Sequence, residues 1–101
     1  MNKEVAGELL DNFVSQLRQR SYLQLNELIG DPQCQQISGH DDNAYQIEFE
    51  AFWDDPRRAG HNLRVIASVD DGTFFGALRP VTRSFIMAPD GSFVGEESKG
   101  C

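Results

Sequence analysis

The chain is short of nearly everything that would announce a chemistry. Its two cysteines, Cys34 and Cys101, cannot form a disulfide framework, and neither belongs to a Cys-x-x-Cys pair. Basic residues are scarce: nine Lys and Arg stand against sixteen Asp and Glu, for a net charge of -7. The basic residues are scattered, and Arg57-Arg58 is the nearest approach to a cluster. Nucleic acid and anionic membrane surfaces are therefore poor partners, because phosphate binding needs concentrated positive charge. No apolar run is long enough to span a bilayer, and no signal-peptide core opens the chain. These absences lead to the expectation of a cytoplasmic protein. The nucleophile elbow, the phosphate-cradling Gly-rich loops and the His-Glu-x-x-His zinc helix are all missing.

What is present describes a folded domain. The chain has 101 residues, enough for one domain with one core. Ten aromatic residues argue against disorder, since a chain that avoids burying surface carries few.

The clearest periodic segment is the first. Val5, Ala6, Leu9, Leu10, Phe13, Val14 and Leu17 recur at helical spacing, with Asn2 placed to cap the N-terminus. Glu4 and Glu8 come early, and Arg18 and Arg20 late, as the helix dipole favours. Gly7 would permit a close approach to a sheet. Ser21-x-x-Gln24 has the form of a capping box opening a second, shorter helix, which Gly30-Asp31-Pro32 would stop. One bent helix over residues 3–29 is the alternative. Residues 31–43 show no periodicity and read as a loop.

From residue 44 the period changes to two. Tyr45, Ile47, Phe49, Ala51 and Trp53 alternate with Gln46, Glu48, Glu50 and Phe52; Leu63, Val65, Ala67 and Val69 alternate with Asn62, Arg64, Ile66 and Ser68. Asp71-Gly72 and Asp90-Gly91 each supply turn chemistry ahead of a hydroxyl residue and an aromatic. The fold expected is α+β: one or two N-terminal helices packed on a three- to four-stranded antiparallel meander sheet. The helical part covers about 3–29, the loop 31–43, the sheet about 44–95 and a flexible tail 96–101. In order of elements this layout resembles the cystatin-like architecture, and that analogy carries no function. Val81 to Gly95 is also similar to the terminal hairpin of thioredoxin-like proteins. The redox cysteine pair and the opening β-α-β unit of that family are missing, so the assignment is rejected.

Register yields the candidate sites. Matching the inward faces pairs Trp53 with Leu63, Ala51 with Val65, Phe49 with Ala67 and Ile47 with Val69. A two-residue loop at Asp71-Gly72 would set Phe74 against Val69 and Leu78 against Val65, sending Phe75 and Ala77 outward. The outer face would then carry Phe52, Arg64, Ile66, Phe75 and Ala77, more apolar than a solvated face requires. These five are the candidate partner-binding residues, for self-association or for a protein partner of the inhibitor or immunity type. A second candidate is a ligand-binding or small enzymatic site in a pocket between the helix and one end of the curved sheet, built from Trp53, Asp55, Arg57, His61 and Arg79, where a carboxylate near His61 could act as an acid/base pair. His40 and His61 flank a strand of about ten residues, which at ~3.3 Å per residue separates them by about 30 Å, too far for a shared site. Asp41, Asp42, Asp70 and Asp71 should gather at the other end without a metal-loop spacing. No catalytic residue, metal or cofactor is assigned, and a non-catalytic interaction module is the favoured function.

Overall fold

The computed structural model describes residues 2–72 and 80–96. Two helices, α1 (Lys3–Leu17) and α2 (Tyr22–Asn26), precede four strands: β1 (Gln33–Ser38), β2 (Ala44–Trp53), β3 (Leu63–Asp70) and β4 (Val81–Met87). The strands form one open antiparallel sheet in the order β1-β2-β3-β4. This is the expected α+β meander with helices on one face.

Local chemistry explains the helix ends. The Asn2 side chain accepts from the amides of Glu4 and Val5, satisfying two of the orphan donors at the α1 N-terminus. Ser21 adopts an extended conformation and exchanges side-chain and backbone hydrogen bonds with Gln24, a complete capping box. That extended residue excludes a single bent helix. Gly30, at φ 73°, then turns the chain out of the helical region.

The β2–β3 register is the expected one, from Ile47 against Val69 to Trp53 against Leu63. Tyr45, Ile47, Phe49 and Ala51 of β2 and Leu63, Val65, Ala67 and Val69 of β3 are buried. Val5, Ala6, Leu10, Phe13 and Leu17 of α1 close over β3 and β4, and Leu25 of α2 over β2 and β3. Phe13 meets the Phe49 ring at 4.9 Å between centroids. Each such side chain contributes about 1.5–3 kcal/mol of transfer free energy.

Two expectations are corrected. Residues 31–43 are not all loop, because Gln33–Ser38 form β1 against β2. The strand carries no apolar alternation because neither face is covered: Gln33, Cys34, Gln35, Gln36 and Ser38 are exposed, and Ile37 is half-buried. Its signal was therefore absent from hydropathy. The second correction concerns β3. Val69 pairs with Val81 and Val65 with Phe85, so β4 takes the edge expected for Phe74 and Leu78. Gly72 does take a positive φ of 79°, and its amide donates to Asp70, but the turn does not close a two-residue hairpin. Pairing β4 with β3 places Phe85 and Met87 in the core under α1, and that burial favours this arrangement. Phe74, Phe75, Ala77, Leu78 and Arg79 lie outside the described residues.

The second Asp-Gly turn does reverse the chain. Gly91 sits at φ 88°, Asp90 accepts from the Ser92 amide and hydroxyl, and Phe93 returns to bridge Met87. Glu96, expected in the free tail, is held by Arg18 through two hydrogen bonds of 2.6 and 2.7 Å. The Arg18 guanidinium lies over the Phe93 ring at 3.9 Å.

Candidate interaction surface

The alternation that buries one face of the sheet exposes the other. On the face away from the helices, Phe52 stands opposite Arg64, Glu50 opposite Ile66 and Glu48 opposite Ser68. Ile86 of β4 extends the row beside Arg64. Phe52 is 39 % exposed, and Ile66 and Ile86 are half-buried. A shallow depression of about 300 Å³ opens here, lined by Pro32, Glu48, Phe49, Glu50, Ile66 and Ser68. The Arg64 guanidinium is drawn toward the strand end by Asp54, 2.9 Å away. Glu48 and Glu50 are exposed and line the depression together with Pro32 and Ile66, so it mixes apolar side chains with negative charge.

Three of the five expected contact residues, Phe52, Arg64 and Ile66, share this surface. Phe75 and Ala77 lie outside the described residues. Pro32 and Ile86 were missed. Pro32 precedes a strand that hydropathy does not show, and Ile86 became an outer-face residue only once β4 was seen to pair with β3.

The described residues of the second candidate site make their bonds mainly to close neighbours in the connection after β2. Asp55 accepts from the Arg57 amide at 3.0 Å and from its Nε at 3.2 Å. These bonds, backbone first, hold the Asp55 carboxyl below its ordinary range. His61 is exposed, with its Nε2 3.4 Å from an Arg58 nitrogen, and its carbonyl accepts from the Tyr22 hydroxyl. No hydrogen bond joins Asp55 to His61 among the described residues. Trp53 is half-buried against the core, and Arg79 lies outside the described residues. His40 is occupied elsewhere, 3.2 Å from Glu8.

At the other end of the sheet, Asp41 accepts from the Tyr45 hydroxyl at 2.7 Å and from Asn43. Those bonds, Tyr45 foremost, lower the Asp41 pKa, and the same contact raises that of Tyr45. Asp70 accepts from the Gly72 amide. Among the described residues, no three His, Cys, Asp or Glu side chains converge to hold a metal ion. Among them, too, no polar or charged side chain is buried, and no helix is long and apolar enough to cross a membrane.

Fold and surface together define an α+β domain with a helix-covered sheet face and an open one. Comparison with protein-family models, curated proteins and solved structures finds no match to the chain.

Proposed function

We propose that the chain is a non-catalytic protein-interaction module whose outer sheet face binds a protein partner. The observation that carries this reading is the outer sheet face, where exposed Phe52 shares a surface with a depression lined by Pro32, Ile66, Glu48 and Glu50. An apolar centre with a polar rim is the common anatomy of contact patches. Glu48 and Glu50 favour a partner that presents basic side chains around an apolar anchor, as an inhibitor or immunity-type protein would meet. Two copies docked face to face would oppose their own carboxylates. A cytoplasmic setting fits the free, exposed thiol of Cys34.

The test compares proteins captured from the native host by the wild-type chain and by Phe52→Glu, with identification by mass spectrometry. The expected result is a basic protein held by the wild type and lost from Phe52→Glu, while the melting temperature is unchanged. Loss of a central aromatic anchor should weaken binding by about thirtyfold, roughly 2 kcal/mol. Equal capture by both proteins, or capture of no basic protein, overturns the reading.

A further inference from the structure

The two edges of the sheet are finished differently. At β4 the chain folds back on itself: Phe93 bridges Met87, the Val94 amide donates to the Ile86 carbonyl, and the strand carries the charged Arg83. At β1 nothing equivalent is present among the described residues. Gln33, Cys34, Gln35, Gln36, Ile37 and Ser38 include no charge, no proline and no glycine, in a chain where a quarter of the residues are charged. Edge strands ordinarily carry such devices because unpaired backbone groups template further pairing.

The free groups can be assigned. The Gly39 amide donates to the Asn43 carbonyl, which makes 39 and 43 a hydrogen-bonded pair. Antiparallel ladders alternate, so Ile37 with Tyr45, Gln35 with Ile47 and Gln33 with Phe49 are also hydrogen-bonded pairs. Cys34, Gln36 and Ser38 therefore turn their amides and carbonyls away from β2, toward the open edge. Their side chains lie on the outer face, in line with Glu48, Gln46 and Ala44.

We infer that this edge pairs with β1 of a second copy, antiparallel about a two-fold axis at Gln36. Hydrogen-bonded pairs can form only between the three outward-turned residues. The register that uses all of them sets Gln36 against Gln36 and Cys34 against Ser38 in both directions, and any other register uses fewer. A symmetric dimer needs a self-complementary strip, and a glutamine amide, one donor face and one acceptor face, is self-complementary. The strip also brings no like charges into opposition, which matters for a chain of net charge -7. Space is available because α1 lies over β3 and β4, and Gln33 and Gln35 are exposed on the helix side. The product is a continuous eight-stranded sheet with both outer faces on one side. The dimer does not rest on the outer-face reading.

Sedimentation velocity on the full chain across a dilution series tests the dimer. The wild type should run as a concentration-dependent dimer. Gln36→Lys, which sets two lysines opposite each other, should weaken it by about tenfold or more and leave the melting temperature of the dilute protein unchanged. In a Cys34→Ser, Cys101→Ser background, Gln36→Cys should form a disulfide-linked dimer under mild oxidation, since its Cα atoms would lie about 5.5 Å apart. Gln35→Cys in the same background should not. A wild type that is monomeric throughout, a dimer unaffected by Gln36→Lys, or equal cross-linking at 35 and 36 overturns the inference. Phe52→Glu should leave the dimer intact, so failure here and failure of partner capture are read separately.

Discussion

The half of the sheet beneath α1 and the half beyond it are joined by the same antiparallel pairing and end up as different materials. In β3, under the helix, Leu63, Val65, Ala67 and Val69 are all buried, and even the outward residues are half-buried. In β1 only Ile37 is even partly covered. The helix is 15 residues long and crosses β3 and β4, so it cannot also roof the far strand. Apolar burial stabilises the first half. The second is held by its ladder to β2 and by the turn at residues 39–43. A difference in cover, not in strand pairing, separates the stable half from the one left open for contacts.

The largest expected effect lies in the covered half. Leu10 is fully buried at the centre of α1, and Leu10→Ala should cost about 2–5 kcal/mol by leaving a cavity, read from chemical denaturation. The comparison predicts that Ile37→Ala on β1 costs clearly less. Equal losses would show that β1 is as much a part of the core as β3. Next comes the seam where the open half touches the helix. A Cβ on Gly39 would lie 2.6 Å from Asp41 Oδ1, 2.8 Å from Tyr45 Cε1 and 2.9 Å from Val5 Cγ1. The ring and the valine belong to the core and cannot simply swing aside. Gly39→Ala should therefore destabilise by about 1–3 kcal/mol. A neutral result would mean that the turn moves independently of α1.

The same contrast explains what was legible in the sequence. Periodicity is a record of one-sided cover, so α1, β2 and β3 could be read, with the β2–β3 register residue by residue. β1 could not, because a strand exposed on both faces leaves no alternation: Gln33 to Gln36 is polar on either side. The β3–β4 pairing failed for a different reason. Residues 73–79 and 81–87 follow the same turn-like Asp-Gly, and a local signal does not decide which of two later segments wins β3. The helix decides it, through Phe85 and Met87. Of the candidate surface, the part carried by β2 and β3 was legible, and the part that depended on β1 and β4 was not.

Arg18 joins the covered half to the C-terminal return, lying over Phe93 at 3.9 Å and Phe85 at 5.6 Å while it binds Glu96. Arg18→Ala should cost about 1–2 kcal/mol, combining a cation–π contact and a partly exposed ion pair. Gly7 gives a smaller effect of opposite sign. A Cβ there would meet only an Arg83 nitrogen, at 3.9 Å, so the close approach expected from the sequence is not what holds glycine at this position. Gly7→Ala should stabilise by about 0.5–1 kcal/mol through helix propensity, seen as a rise in thermal midpoint. A loss of stability would show that α1 sits closer to the sheet than these distances indicate.

The smallest effect separates the two halves by pH. Asp41, in the open half, is held below the ordinary carboxylate range mainly by the Tyr45 hydroxyl; Glu96, in the covered half, is lowered mainly by Arg18. Both folded-state values lie under their unfolded ones. Each group therefore adds stability above the ordinary carboxylate range, and that stability is lost as pH falls through the folded value. Tyr45 is shifted upward by the same contact, so its share is complete below the ordinary tyrosine range and is lost as pH rises through its folded value. Asp41→Asn should flatten both the acid and the alkaline limbs of a stability–pH profile. Glu96→Gln should flatten the acid limb alone. If Asp41→Asn left the alkaline limb unchanged, the Tyr45–Asp41 bond would not be what secures the turn of the open half, and the ladder to β2 would have to hold β1 in place by itself.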